Sequence, residues 1–409
     1  MSLFSKLSLC LSVLFSTLSH AQNDSIAQAY LNQARAEFSK PFAEQDFVNA
    51  LGLTAKAIEL DPNNAEAYYI LGNVYDKINA KDATSLLGIS PQITELSAEA
   101  LHKCLQLNPD FDKPIVLNPR EKILSVYASL ALKYKIQGDL DSLSYCFEKA
   151  DELIADDFII REFLQQFLMS CKPNAIVVSS GDMISYNLLY LQDHMGIRPD
   201  LTIFDINLLN TKWYPEYFRS KGIINFEVDS LELDSIKHLA WPANPMKIED
   251  FIWDVHPSYS KYLLRGDMVF REVLRANKWE KDLYFTAGLS EKSALSLLKE
   301  AEPIMFGHYF HPERSSGLSS KKLLKKYSKI IKNHEHLSSE DLKALSMLRF
   351  YVLLEVNSLI EDDAFKAAKK LLKNLDKRIS IDEYPYLHQS TALFRNQLNL
   401  SIKNEGLTN

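Results

Sequence analysis

The chain carries two different patterns of apolar positions. Over residues 24–170, apolar side chains recur three and four positions apart, the spacing of amphipathic helices that pack through one face. After residue 173, short β-branched runs alternate with helical stretches, which predicts parallel strands joined by right-handed crossovers. The runs that we predict as strands are 175–180, 201–207, 223–228, 283–287 and 304–309.

Together the two patterns predict an α/β fold class with a large all-α part. We expect an N-terminal α-helical array, then a three-layer α/β domain with a mostly parallel sheet, then a C-terminal helical pair. The predicted domains are residues 22–170, 171–312 and 313–400, the last packing on the α/β domain.

A repeated spacing makes the helical array more specific. Tyrosine, leucine, a small residue and tyrosine recur at equal intervals as Tyr68, Leu71, Gly72 and Tyr75, then as Tyr127, Leu130, Ala131 and Tyr134. Small residues also stand five positions before prolines, as Ala57 before Pro62 and Cys104 before Pro109. This arrangement resembles the tetratricopeptide repeat (TPR), in which small residues let paired helices approach closely. We interpret the region as TPR-like helical pairs.

TPR arrays stack into a concave surface that holds a peptide or a neighbouring domain. The resemblance therefore implies a protein partner bound by the TPR-like surface. The alternative is that the array only packs on the domain that follows, and the sequence leaves both open.

The first residues have the pattern of a signal peptide. A mostly apolar run, Leu7–Leu18, is followed by Ser19 and Ala21, small residues at the −3 and −1 positions of a cleavage site. This run is shorter than the roughly 20 residues that span a bilayer. We predict a signal peptide at residues 1–21, cleavage near Ala21, and a periplasmic or otherwise extracytoplasmic mature protein.

Charge and cysteine content exclude some functions. The formal net charge of −7 gives no basis for a nucleic-acid partner. The sequence has neither a dinucleotide-binding glycine motif nor a phosphate-binding loop, so we expect no cofactor. Three cysteines follow the predicted signal peptide: Cys104, Cys146 and Cys171. They are too few for a disulfide framework, and the sequence leaves open whether two of them form one disulfide.

The α/β region contains a second set of motif residues. They are Gly181, Asp182, Leu191, Gln192, Arg198, Pro199, Asp200, Leu208, Leu209, Asn210, Thr211, Trp213, Tyr214, Asn277, Trp279, Tyr284 and Phe285. With them, residues 172–390 resemble the extracytoplasmic C-terminal domain of bacterial multispanning membrane proteins similar to protein O-mannosyltransferases. The family's second acidic residue after Gly181-Asp182 is missing, and its membrane-embedded catalytic half has no counterpart. The resemblance implies a shared domain without the transferase activity.

Candidate ligand-binding residues follow the predicted strands. The carboxyl ends of parallel strands favour ligands, and the polar residues there are Ser180, Gly181, Asp182, Asp205, Asn207, Asn210 and Thr286. Two carboxylates beside amide side chains suit a sugar or a cation. The structural alternative is that Asp182 and Asn210 only begin helices.

Two further features have structural alternatives. His308 and His311, with Asp254 and His256, have poor spacing for a metal site, so we expect none. In residues 321–332, six lysines lie opposite an apolar stripe; this segment either contacts an anionic membrane surface or packs as an ordinary surface helix.

The sequence thus favours a binding protein, and its status as an enzyme is left open. We predict an interaction or scaffold protein, accessory to cell-envelope glycosylation or assembly. The alternative is a glycan-binding or glycan-processing module with a pocket near Asp182 and Asp205.

Overall fold

A computed structural model describes residues 24–154, 158–334 and 337–405. The predicted signal peptide lies outside these residues. The chain forms two compact units, residues 1–156 and 157–409. A helical array, a central sheet domain and C-terminal helices follow one another, with 61% helix, which confirms the predicted fold class. None of the described helices is both long enough and apolar enough to cross a membrane.

The first unit is a series of packed helices. They are α1 (24–37), α2 (Phe47–Leu60), α3 (Ala65–Asn79), α4 (Pro91–Leu107), α5 (Pro119–Gln137) and α6 (Leu140–Ile154). The side chains of Asp46, Asn64, Ser90 and Asn118 accept hydrogen bonds from the first-turn amides of α2 to α5. Each cap satisfies an amide that the helix itself leaves unpaired.

Gly72 lies where α3 meets α4. A Cβ atom on Gly72 would lie 2.5 Å from Leu101 Cγ and 2.9 Å from the Ser97 carbonyl oxygen, closer than packing allows. The Ser97 hydroxyl donates to the Gly72 carbonyl at 2.7 Å. Farther along, Gly138 ends α5 with a φ of 80°, a left-handed conformation that glycine adopts without strain. Gly72 thus holds the small-residue position of the repeat spacing, and Gly138 ends the first helix of the pair α5–α6.

The second unit alternates helices with strands up to β9 and ends in helices. Its elements are α7 (Ile159–Ser170), β1 (Ile176–Ser179), α8 (Asp182–Leu189), β2 (Thr202–Asp205), α9 (Trp213–Ser220), α10 (Ser230–Ser235), β3 (Leu239–Ala240), β4 (Pro245–Ile248), β5 (Phe251–Asp254), β6 (Tyr262–Leu263), α11 (Arg265–Asn277), β7 (Leu283–Thr286), β8 (Glu302–Ile304), β9 (Gly307–Phe310), α12 (Ser320–Asn333), α13 (Ser339–Glu361), α14 (Phe365–Arg378) and α15 (Gln389–Glu405).

The main sheet of the described residues has the order β2-β1-β7-β9-β8. Strand β1 pairs in parallel with β2 and β7, whereas β9 is antiparallel to both β7 and β8, so the sheet is mixed where we predicted a mostly parallel one. On β9, Gly307 faces Phe167 of α7, and His308 lies 5.2 Å from Tyr351 of α13. Because adjacent residues of a strand point to opposite faces, α7 and α13 cover opposite faces of this mixed sheet.

The predicted strand at 223–228 is wrong. The amides of Ile223 and Ile224 donate to the Phe218 carbonyl at 3.0 and 3.3 Å, and Gly222 has a φ of 64°. These bonds close the C-terminus of α9, where apolar residues commonly follow a left-handed glycine. Two small antiparallel pairs, β3 with β6 and β4 with β5, follow within residues 239–263, where we predicted no strand.

Helix α7 belongs to the second unit, whose start precedes the boundary that we predicted after residue 170. The Phe163 carbonyl accepts a hydrogen bond from the Tyr327 hydroxyl of α12 at 3.2 Å, and Arg161 donates to Asn187 of α8 at 3.0 Å. Its amphipathic pattern resembles that of the repeat helices, so the sequence alone does not separate it from them.

Candidate functional site

The structure brings most of the candidate residues to one end of the sheet. Ser180, Gly181 and Asp182 follow β1, Asp205 ends β2, and Thr286 ends β7. Since β1 lies between its two parallel neighbours, these carboxyl ends are adjacent. The predicted grouping therefore exists in space.

Asp205 is the buried centre of this group. Its carboxylate accepts hydrogen bonds from the Gly181 amide at 3.1 Å, the Ser185 hydroxyl at 2.5 Å and the Asn207 amide at 2.7 Å. Burial raises the pKa of Asp205, and the bonds from Ser185 and the amides oppose that rise. The Asp205 amide donates to the Tyr214 hydroxyl at 3.1 Å. The carboxylate thus fastens the β1–α8 turn to the end of β2.

The two asparagines also bond to the chain itself. The side-chain amide of Asn207 donates to the Ser180 hydroxyl at 2.9 Å. The Asn210 side chain accepts from the Gly266 amide at 2.8 Å and donates to the Asn207 carbonyl at 3.0 Å. A Cβ atom on Gly266 would lie 2.7 Å from Asn210 Nδ2, so that glycine allows α11 to begin against the asparagine.

Thr286 and Asp182 differ most in accessibility. Thr286 is fully buried, and its hydroxyl has no hydrogen-bond partner among the described residues. Asp182 is exposed at the first position of α8, where a carboxylate stabilises the helix dipole. The face open to a ligand consists of Gly181, Asp182, Asn207 and Asn210, with Ser180 half-buried.

A pocket lies at the opposite, amino end of the strands. Its volume is about 110 Å³, below the several hundred Å³ usual for small-molecule sites. None of the candidate residues lines it. The lining residues are Ile176, Thr202, Ile223, Ile224, Asn225, Val273, Ala276, Asn277, Glu280 and Lys281.

The Arg-Pro-Asp motif at 198–200 forms a clamp. The Arg198 guanidinium binds the Asp200 carboxylate through two bonds of 2.8 Å. It also donates to the carbonyls of Leu168, Cys171 and Lys172 at 2.6, 2.9 and 3.1 Å. The hydrogen bonds from Arg198 hold the pKa of Asp200 well below its usual range. The motif therefore ties the end of α7 to the start of β2.

The histidine candidates lie in separate environments. Burial lowers the pKa of His308 to about 4, which keeps its ring neutral at physiological pH. His311 Nε2 lies 2.9 Å from the Trp279 carbonyl oxygen, and its Nδ1 accepts from the Glu313 amide at 3.1 Å. No group of three metal-ligating side chains is found in the part of the chain that the structure describes.

Two other predictions concern the cysteines and the lysine-rich segment 321–332. Cys104, Cys146 and Cys171 are free and buried, and burial raises the pKa of Cys104 and Cys146 to about 12. In residues 321–332, the apolar stripe is buried, whereas all six lysines are exposed. The stripe packs against α7 and α14, so the helix does not offer it to a membrane.

Two family models match segments of this chain. The tetratricopeptide repeat matches residues 53–85, which confirms the TPR prediction. TMEM260-associated domain 2 matches residues 160–229, a segment that includes the Arg198 clamp, Asp205 and Tyr214. This second match agrees with a domain associated with a membrane protein. No curated protein matches the chain.

Sequence reasoning missed Ser185 and Tyr214 as partners of Asp205. Ser185 lies four residues after Gly181, one helical turn along α8, so both face β2. This four-residue spacing is the sequence signal by which the contact between Ser185 and Asp205 could have been predicted. The contact between Tyr214 and Asp205 depends on how α9 packs, which no local pattern specifies.

Proposed function

We propose that this protein is an exported scaffold that binds a protein partner through its TPR-like unit and assists cell-envelope assembly or glycosylation. The observation that carries the proposal is the packed helical array α1–α6 together with the TPR match. Arrays of this kind generally act by holding a peptide or a domain.

The first unit offers exposed apolar side chains for such a partner. Val48 on α2 is 74% exposed, and Leu96 on α4 and Tyr145 on α6 are also exposed. Burial of apolar surface is the dominant favourable contribution to most protein–protein association. One such side chain lies on each of α2, α4 and α6, which supports a partner that contacts these three helices.

Export and envelope context are supported by the sequence alone. The apolar run and small residues of 1–21 suit signal-peptide cleavage. The resemblance of residues 172–390 to an extracytoplasmic domain suits the same compartment. N-terminal sequencing of protein from intact cells tests this part: we expect a mature chain that begins at Gln22, and an uncleaved chain would contradict export.

The partner proposal is tested by site-specific photocrosslinking in intact cells. A photoreactive residue replaces Val48 or Tyr145 in the tagged full chain, and Ile252 or Leu393 serves as a control of similar exposure in the second unit. We expect one defined protein crosslinked from the repeat positions and absent from the controls. Equal crosslinking from both sets would contradict the proposal.

A second candidate is a glycan-binding or glycan-processing module. The exposed polar edge of Asp182, Asn207 and Asn210 favours it. Glycan-array binding by the full chain tests it, with Asp182→Ala as the variant that should lose binding while keeping its fold.

Contact with a membrane surface through 321–332 is part of the first proposal, supported by the exposed lysines of that segment.

A further inference from the structure

Two neighbouring helices of the second unit concentrate positive charge. Helices α12 and α14 together carry twelve of the chain's 46 lysines and arginines and one of its 53 acidic residues. Because the whole chain has a net charge of −7, this pair at +11 leaves −18 on the remainder. The basic residues are Lys321, Lys322, Lys325, Lys326, Lys329, Lys332, Lys366, Lys369, Lys370, Lys373, Lys377 and Arg378. We call this set the lysine surface.

The lysine surface is exposed, and the two helices that carry it are in contact. Helices α12 and α14 pack side by side, and Arg378 reaches the Ser328 hydroxyl at 3.4 Å. All eleven lysines are exposed, and within the described residues none of them forms an ion pair. The single carboxylate, Asp376, is bound by Arg395 of α15 at 2.6 Å. Three further acidic residues, 361–363, form an exposed turn just before α14 begins.

The apolar sides of both helices are already used. In α12, Leu324, Tyr327 and Ile331 are almost completely buried, as are Leu372 and Leu375 in α14. Membrane-inserting helices keep an apolar face free for the acyl chains. The lysine surface has no such face, so any attraction to a membrane is electrostatic.

We propose that the lysine surface binds the anionic phospholipid headgroups of a membrane and turns this face of the second unit towards the bilayer. Two helices of 14 residues, each roughly 21 Å long and about 10 Å apart, present a broad face. Lysine is a hydrated point charge, which suits a diffuse layer of headgroup charge. The inference extends the membrane contact proposed for 321–332 to α14 and does not depend on the TPR-like unit.

The composition of the surface favours lipid over nucleic acid. Proteins that bind single strands stack bases on exposed aromatic rings, and those that read duplexes use arginine at base edges. Tyr327, the tyrosine of α12, is fully buried, and Arg378 is the one arginine of the surface. Negative charge on the rest of the chain opposes binding through other faces.

The test is co-sedimentation of the full mature chain with vesicles of phosphatidylcholine alone or with about 30% phosphatidylglycerol. The variant K322Q/K325Q/K369Q/K373Q removes four charges from the lysine surface. Its matched control, K237Q/K261Q/K292Q/K299Q, removes four exposed lysines elsewhere in the second unit. Glutamine has a helix propensity close to that of lysine, and circular dichroism checks that both variants fold.

We expect binding to anionic vesicles only, reversed by salt. Each lysine near such a surface contributes a factor of about five, so the lysine-surface variant should bind at least about 100-fold more weakly. The control variant should bind as the parent does. Equal binding to neutral vesicles, equal loss in both variants, or binding to polyglutamate or RNA but not to vesicles would overturn the proposal. Photocrosslinking from Val48 reports the scaffold function separately.

Discussion

The TPR-like unit and the carboxyl end of the sheet both contain the residues by which the chain resembles known families, and in both these residues build the fold. In the repeat, Gly72 lets α3 approach α4. At the sheet, the side chains of the motif residues Asn210 and Tyr214 accept hydrogen bonds from the backbone amides of Gly266 and Asp205. The difference lies in what remains exposed: apolar side chains on the repeat helices, and only a narrow polar edge at the sheet. Resemblance therefore indicates architecture, and the binding surfaces must be sought among other residues.

The largest effect should come from Asp205→Ala, which tests whether the sheet end is structural. The substitution removes the buried carboxylate that accepts hydrogen bonds from the Gly181 and Asn207 amides and from the Ser185 hydroxyl. We expect a loss of roughly 3 kcal/mol in the free energy of unfolding, measured by urea denaturation. Asp205→Asn keeps the shape of the side chain and should cost less. A fully stable Asp205→Ala protein would show that these hydrogen bonds do not hold the fold at this end of the sheet.

Gly72→Ala tests the same idea in the repeat. The new Cβ atom would meet Leu101 and the Ser97 carbonyl, so we expect a loss of about 2 kcal/mol in stability. Gly52→Ala is the control, since Gly52 lies in α2 with nothing within 4 Å of an added Cβ atom. That substitution should be neutral or stabilise by up to about 1 kcal/mol. Equal thermal shifts in the two variants would show that helix contact does not require Gly72.

His308 is a buried titratable group that belongs to neither set of motif residues. Its folded pKa of about 4 lies below the ordinary value of 6.5, so the unfolded chain binds a proton first as pH falls. Stability contributed by neutral His308 is present above pH 6.5 and lost as pH falls towards 4. We expect the parent to lose about 1–2 kcal/mol more than His308→Gln over this interval. Parallel pH profiles of unfolding would contradict this burial effect.

Asp182→Ala should have the smallest effect on stability. Its carboxylate is exposed and acts on the α8 dipole, which accounts for a loss of about 0.5 kcal/mol. The variant therefore separates fold from ligand binding at the sheet end. Unchanged glycan-array binding in this variant would remove Asp182 from the glycan-module hypothesis.

Much of the fold follows from local patterns, and the errors have physical causes. The runs around Ile176–Ser179 and Thr202–Asp205 were predicted because buried parallel strands are continuously apolar. The strand at 223–228 was predicted wrongly because apolar residues such as Ile223 and Ile224 also follow a glycine at a helix C-terminus. The pairs β3–β6 and β4–β5 were missed because strands of two to four residues carry too little pattern.

The candidate site was only half predictable. Strand ends locate Asp205 and Thr286 correctly, because chain direction specifies the edge of a parallel sheet. Which polar atoms remain free depends on long-range partners such as Tyr214, whose approach is set by packing. The lysine surface illustrates the same limit, since the pairing of α12 with α14 joins segments far apart in sequence.

The central claim is that the TPR-like unit holds a protein partner, and photocrosslinking from Val48 in intact cells tests it most directly. We expect one defined envelope protein to crosslink at Val48 and Tyr145 and not at Ile252 and Leu393. A partner captured only from the second-unit positions, or no partner at any of them, would contradict it.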